Sequence, residues 1–475
     1  MNHNYSTWQP SDQSRRQMLK STACGFGHLA LLGLLGNEAR ADPGSRVQPL
    51  ALKKPHFAPR AKNVIFLFMH GGVSHIDTFD PKPELDKMHG KDLPFELPLQ
   101  FAGDIGKLLK SPWSFRQYGQ SGLPVSELFP HVGSVIDEIC LLRSLHSEQV
   151  DHGGAILQLH TGSAVFPRPS MGAWLVYGLG NENRNLPGFV TICPPVMHGG
   201  TQNYGAAFLP AAYQGTAFGD SKTPMTRAKL RNLKPAEGNP ALQRMQLDLV
   251  RDANRKHAAQ AQYDTRMNAR IEAFELAFRM QMEAPAAIDL TGETKRTMEL
   301  YGIGQGPTDN FGRQCLLARR LVERGVRFVQ CSHSYKWDQH GNLRGGHTAN
   351  AREVDQPIAA LIRDLRQRGM LDETLVVWGT EFGRTPVAQG SDGRDHNPYG
   401  FTKWMAGGGV KGGMAYGATD ELGYYAAEDK VSMYDFHATL LHLLGLDHEH
   451  LTYRHAGRDF RLTDVHGNVI KKILT

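Results

Sequence analysis

The 475-residue sequence predicts an α/β fold, a doubly wound and mostly parallel sheet with helices on both faces. Three observations predict it. Short apolar runs without polar interruption recur along the chain, as strands buried on both faces require. Stretches of helical period separate them. Clusters of histidine and carboxylate follow the ends of several runs, where open parallel sheets bind ligands.

The chain opens with Arg15-Arg16 in a polar setting, an uncharged Leu/Ala/Gly stretch over 21–36, and the small-x-small exit Ala39-Arg40-Ala41. These parts make residues 1–41 a twin-arginine signal peptide, cleaved before Asp42. The apolar stretch is too short and glycine-rich to span a bilayer comfortably. The expected mature chain, 42–475, is therefore periplasmic or secreted. The twin-arginine translocase is its partner during export, and it has no stable membrane insertion.

An irregular lead-in over 42–62 precedes the first run, 64–69, which ends at Gly71-Gly72. Further runs lie at 140–142, 189–192, 326–329 and 375–378, with a shorter one at 404–406. Val354, Ile358, Leu361, Ile362 and Leu365 mark a helix that Gly369 would end. Ser432 and Asp435 have capping-box spacing ahead of Phe436, Leu440 and Leu443. Residues from about 240 to 284 are polar, rich in Gln, Arg, Ala and Met, and free of proline inside, which predicts a helical insertion, a hairpin or one long helix.

A net charge of +6 without a dense Lys/Arg block gives no case for nucleic acid. Cys140, Cys193, Cys315 and Cys331 form no Cys-x-x-Cys pair and are expected as buried thiols. Neither a haem motif nor a dinucleotide fingerprint occurs.

The candidate chemistry follows the runs. His70-Gly71-Gly72 follows the first, Asp151-His152 follows the run at 140, Asp338 and His340 follow that at 326, and Glu381 and Arg384 follow that at 375, with Asp395-His396 soon after. Imidazole and carboxylate together suit Zn, Mn or Fe. The metal candidates are His70, Asp338, His340, Glu381 and His396, for one or two divalent ions, Zn or Mn first. Asp338 and His340, two apart, face one side of an extended chain. Asp395 and His396 point apart, and His396 is taken as the ligand. Glu381 either binds metal or pairs with Arg384. Arg384 and Arg143 would hold the nonbridging oxygens of an anionic ester. His75 and Asp77 read as local support, and His437, His442, His448, His450 and His455 as surface or packing residues.

The segment from Lys62 through His70-Gly71-Gly72-Val73-Ser74-His75-Ile76-Asp77 to Pro83 resembles the opening of the exported bacterial family called domain of unknown function 1501, grouped with the alkaline phosphatase and sulfatase superfamily. Trp337-Asp338-Gln339-His340, Glu381-Phe382-Gly383-Arg384-Thr385-Pro386, Gly393-Arg394-Asp395-His396 and Gly457-Arg458-Asp459 resemble its later motifs. The resemblance spans nearly the whole mature chain. It implies an alkaline-phosphatase/sulfatase-like fold and a two-metal site for phosphate or sulfate esters, with Asp338, His340 and His396 on one ion and His70, Glu381 and His152 on the other.

The chain departs from the superfamily pattern at His70, where an aspartate is usual, and at Glu381-Phe382, where Asp-His is usual. It also lacks the Cys-x-Pro-x-Arg sulfatase signature. Water, with His152 as general base, is therefore the expected nucleophile. The expected function is an exported metal-dependent hydrolase of phosphate or sulfate esters. The alternative is a non-catalytic periplasmic protein that binds anionic small molecules or glycans on the same fold.

Overall fold

The computed structural model describes residues 49–96, 106–230, 240–260 and 265–475. The twin-arginine motif and its cleavage site lie outside the described residues. All six apolar runs form strands of one nine-stranded sheet. These are β1 (Asn63–Met69), β2 (Ile139–His146), β3 (Phe189–Ile192), β5 (Phe328–His333), β6 (Thr374–Gly379) and β9 (Phe401–Ala406). The short strands β4 (Thr216–Phe218), β10 (Met414–Tyr416) and β11 (Val431–Ser432) complete it. The order is β10-β2-β9-β6-β1-β5-β3-β4, with β11 also beside β2. In register, Ile65 lies opposite Val329 on one side and Val376 on the other.

Every pairing is parallel except those of β9, which runs antiparallel to β2 and β6. The reason is local. No crossover helix separates β6 from β9. The intervening chain is a hairpin of β7 (Gly383–Gln389) and β8 (Gly393–Asn397), so the chain turns back on itself.

Alternate residues of β1 feed two cores. Ile65, Leu67 and Met69 pack with Leu316 and Leu321 of the helix Asp309–Glu323 and with Ile358 and Leu361 of Leu343–Gln367. Val64, Phe66 and Phe68 pack with Ile156 of His152–Thr161, Trp174 of Met171–Leu179 and Phe436 of Met433–Leu443. The sheet is thus covered on both faces, as period-2 burial of a parallel strand demands. The helix Leu343–Gln367 gives way at Arg368 to Gly369, whose φ of 67° suits glycine. Ser432 and Asp435 form the reciprocal cap, with Ser432 Oγ accepting from Asp435 N at 3.1 Å.

The stretch from 240 carries two helices, Pro240–Gln260 and Thr265–Ile288. The second continues through Pro285 and is tied to the core by Ala284 and Ala287. The four cysteines Cys140, Cys193, Cys315 and Cys331 are buried free thiols. Among the described residues, no helix is long and apolar enough to cross a membrane.

Candidate metal centre

Five strand ends supply one cluster. His70 leaves β1 and is followed by Gly71 and Gly72 at φ of 122° and 82°. A Cβ on Gly71 would stand 2.8 Å from the backbone nitrogens of Trp337 and Asp338, so the missing side chain lets the loop after β5 close over β1. That closure is fastened by Lys336 N and Trp337 N, which donate to His70 O at 3.2 and 3.3 Å. Glu381 follows β6 and His198 follows β3. His152 is the first residue of its helix, fixed there by Asp151, whose side chain accepts from Gly154 N at 3.0 Å. The β7–β8 hairpin contributes Arg384, Gln389 and His396, with a bulge between Arg394 and His396 that re-aims the histidine.

Asp338 Oδ1 is the focus. His340 Nε2 lies 3.0 Å from it, His152 Nε2 3.2 Å and His396 Nε2 3.4 Å, and the two nitrogens of His340 and His396 are 3.0 Å apart. The Nδ1 atoms of the same imidazoles all face oxygen: Glu381 Oε1 at 2.7 Å from His152, Val150 O at 2.6 Å from His396, and the side-chain oxygen of Gln389 beside His340. Nδ1–H bonds to outer acceptors leave the Nε2 lone pairs pointing at one another and at a carboxylate. That arrangement needs an added positive charge at its centre, a proton or a cation. The separations also match the ~3.3 Å edge of a tetrahedron with ligands about 2.0–2.1 Å from its centre. His152, Asp338, His340 and His396 thus form one group that could hold an ion, and His70, His152 and Glu381 form another, each with ligand atoms within 4.8 Å.

The charges are strongly coupled. Burial alone would raise the Asp338 carboxyl, but hydrogen bonds from His152, His340 and His396 and the Arg384 charge hold it well below the usual range. Burial would likewise raise Glu381, yet His152 brings it down to about 2. The reverse holds at His152: burial opposes its charge, and Asp338 and Glu381 overcome that and raise it to about 9. Burial lowers His70 and His396 to about 4.

The structure brings His70, His152, Asp338, His340, Glu381 and His396 together and shows what each of the two arginines faces. Arg384 has no exposed surface. Its Nε donates to Gly72 O at 2.8 Å, Nη1 to Arg394 O at 3.0 Å, and Nη2 to Asp338 Oδ1 at 2.6 Å, to Trp337 O at 3.3 Å and to Gly71 O. It is a clamp that fixes Asp338, with its guanidinium facing backbone rather than ligand. Arg143 lies with Asp80, at 3.9 Å, and Asp80 in turn pairs with Lys82 at 3.1 Å. Glu381 accepts from Gly71 N at 2.9 Å and from the Thr380 hydroxyl at 3.0 Å, so it stands behind His152 with its lone pairs engaged. His75 Nε2 meets Gly423 O at 2.8 Å, and Asp77 forms a fully buried pair with Arg394 at 2.8 Å.

Sequence reasoning missed two groups. His198 Nδ1 is 3.0 Å from His70 Nε2, and its ring stacks on His152 at 5.2 Å. Tyr335 donates to Asp338 Oδ2 at 3.2 Å. The signal for His198 was present: the tripeptide His-Gly-Gly occurs at 70, 152 and 198, each time after a strand. Nothing comparable marks Tyr335.

Residues 61–474 match the model of the family described as protein of unknown function, DUF1501. No curated protein sequence matches the chain significantly. Among solved structures, a sulfatase, PsFucS1, from Pseudoalteromonas sp. is 12% identical, over 92% of this chain and 73% of that one, with a TM-score of 0.35. A phosphonate monoester hydrolase from Silicibacter pomeroyi is 10% identical over 81% and 73%, with a TM-score of 0.35. The alkaline phosphatase of the Antarctic bacterium TAB5 is 10% identical over 75% and 92%, with a TM-score of 0.31.

Proposed function

The chain belongs to the DUF1501 family, and we propose that it is an exported, metal-dependent hydrolase of phosphate or sulfate esters. The observation that supports this most is the convergence of three imidazole Nε2 atoms on Asp338 Oδ1 while an outer oxygen faces each Nδ1. In this reading Asp338, His340 and His396 hold a zinc or manganese ion. When bound, the ion supplies Lewis-acid polarisation of the ester and activation of water.

The chain's own groups do the rest. Arg384 fixes Asp338, and Glu381 orients His152 through Nδ1; with an ion beside Asp338 in place of the proton that His152 otherwise holds, Nε2 would take a proton from the attacking water. His340 and Asp338 keep 32% and 16% of their side chains exposed, so the cluster opens to solvent on their side. Two carboxylates, one guanidinium and a divalent ion leave an excess of positive charge there, which favours an anionic ester. The twin-arginine start supports delivery by the twin-arginine translocase and a periplasmic or secreted location.

A second reading has an observation of its own. His152 Nε2 also belongs to the four-membered ligand group. With His152 on the ion the site is closed, as structural zinc sites are, and the protein binds anionic glycans or small molecules without turnover. One experiment separates the two. Protein stripped by chelator and reloaded with Zn or Mn is assayed on para-nitrophenyl phosphate and sulfate, alongside Asp338→Ala and His152→Ala. The hydrolase reading expects turnover that Asp338→Ala abolishes, and a His152→Ala protein that keeps its ion but is inactive. An ion lost from His152→Ala, with no turnover by the wild type, supports the binding protein.

A further inference from the structure

We propose that Tyr335 is a catalytic residue of this hydrolysis, its hydroxyl donating a hydrogen bond to the oxygen of the leaving group; the inference rests on the hydrolase reading above.

Tyr335 follows β5 with a φ of 47°, left-handed backbone that a bulky aromatic residue rarely adopts unless its surroundings hold it there. What the strain achieves is a ring laid over the cluster. Its centroid is 5.1 Å from that of His70, 5.0 Å from His198 and 5.9 Å from His152. His198, on the loop after β3, is itself left-handed at a φ of 52°. Two strained loops from separate strands therefore meet ring to ring above the site.

The hydroxyl is placed as well as the ring. It donates to Asp338 Oδ2 at 3.2 Å, while the other oxygen of the same carboxylate receives the imidazoles. The donor thus stands one carboxylate's width from the reaction centre, and its single proton turns from Asp338 Oδ2 to the ester oxygen as the substrate binds. Tyr335 is 44% exposed, whereas His70, His152, Glu381, Arg384 and His396 are buried. The cluster opens to solvent at Asp338 and His340, and Tyr335 is hydrogen-bonded to Asp338, so an ester whose bulk leaves by that opening has its bridging oxygen near the Tyr335 hydroxyl.

The reaction balances without another reactant. Water forms the new bond to phosphorus or sulfur, and the bond to the bridging oxygen breaks with its electron pair on that oxygen. The proton that His152 takes from water passes on to the leaving alcohol or to solvent. A donor at the bridging oxygen stabilises charge that develops only as the bond breaks. An alkoxide develops far more of that charge than a nitrophenolate, so the benefit depends on the leaving group.

The test is Tyr335→Phe in the metal-loaded, full-length protein, on para-nitrophenyl phosphate and a simple alkyl phosphate, with the matching sulfates. The expected result is a loss of about a hundredfold in kcat/KM on the alkyl ester and no more than about threefold on the nitrophenyl ester. Metal content and unfolding midpoint stay unchanged. An equal loss on both esters, or none on either, overturns the role of Tyr335 while leaving the hydrolase reading intact. A wild-type protein that turns over none of the esters defeats the hydrolase reading and this inference with it.

Discussion

In protein stripped of divalent ions, the proton that His152 holds should make stability fall as pH rises. Burial lowers the affinity of this imidazole for a proton, and Asp338 and Glu381 raise it, to about 9 against an ordinary 6.5. At about 1.4 kcal/mol per pH unit the difference amounts to ~3 kcal/mol. The side chain is only 7% exposed, so solvent screens little of it. Because the folded pKa lies above the unfolded one, this stabilisation is fully present below pH 6.5 and is lost as pH passes about 9. The assay is urea unfolding of wild type and His152→Gln in chelator at about pH 6.5 and about pH 9.5. The wild-type advantage should shrink by ~2–3 kcal/mol between them. A bound ion opposes this trend, because the metal-facing nitrogens must be deprotonated and its stabilisation grows with pH over the same window. An advantage that does not change with pH would refute the proposed coupling of His152 to Asp338 and Glu381.

Replacing Arg384 by Met leaves Asp338 without its nearest positive partner and four backbone carbonyls without their donor. Denaturant unfolding should show a loss of about 3–5 kcal/mol, which Arg384→Lys does not restore because an ammonium cannot reach all five acceptors. Glu381→Gln removes the charge that orients His152 and should lower kcat/KM on para-nitrophenyl phosphate by about 10–100-fold, with metal content and circular dichroism little changed. Gly71→Ala forces a Cβ to within 2.8 Å of the Asp338 and Trp337 backbone at a φ of 122°, displacing the Asp338 loop. It should reduce metal content by elemental analysis, whereas Lys54→Ala, at an exposed position of the lead-in, leaves it unchanged.

Much of this was legible in the sequence because burial on two faces leaves uninterrupted apolar runs. The strand 64–69 and its relatives announce themselves, and the rule that ligands gather at strand ends then placed His70, His152, Asp338, His340, Glu381 and His396 on one edge. The direction of β9 was not legible, since its apolar residues read the same either way and only the hairpin before it reverses the chain. Arginine direction was not legible either. Arg384 lies in a motif beside an acid and reads as a ligand for anions. Whether a guanidinium turns toward a ligand or toward carbonyls is decided by loops distant in sequence, here Gly71 and Trp337. Arg143 lies 3.9 Å from Asp80, again a residue distant in sequence. Tyr335 depends on a left-handed backbone that tertiary contacts impose.

The most direct test of the central claim is the metal content of mature protein purified without chelator, measured beside Asp338→Ala and His340→Ala. The account predicts about one zinc or manganese per chain in the wild type and almost none in either variant, with folding preserved. A wild-type protein that holds no ion and takes up none on reconstitution would contradict it, as would variants that keep their metal.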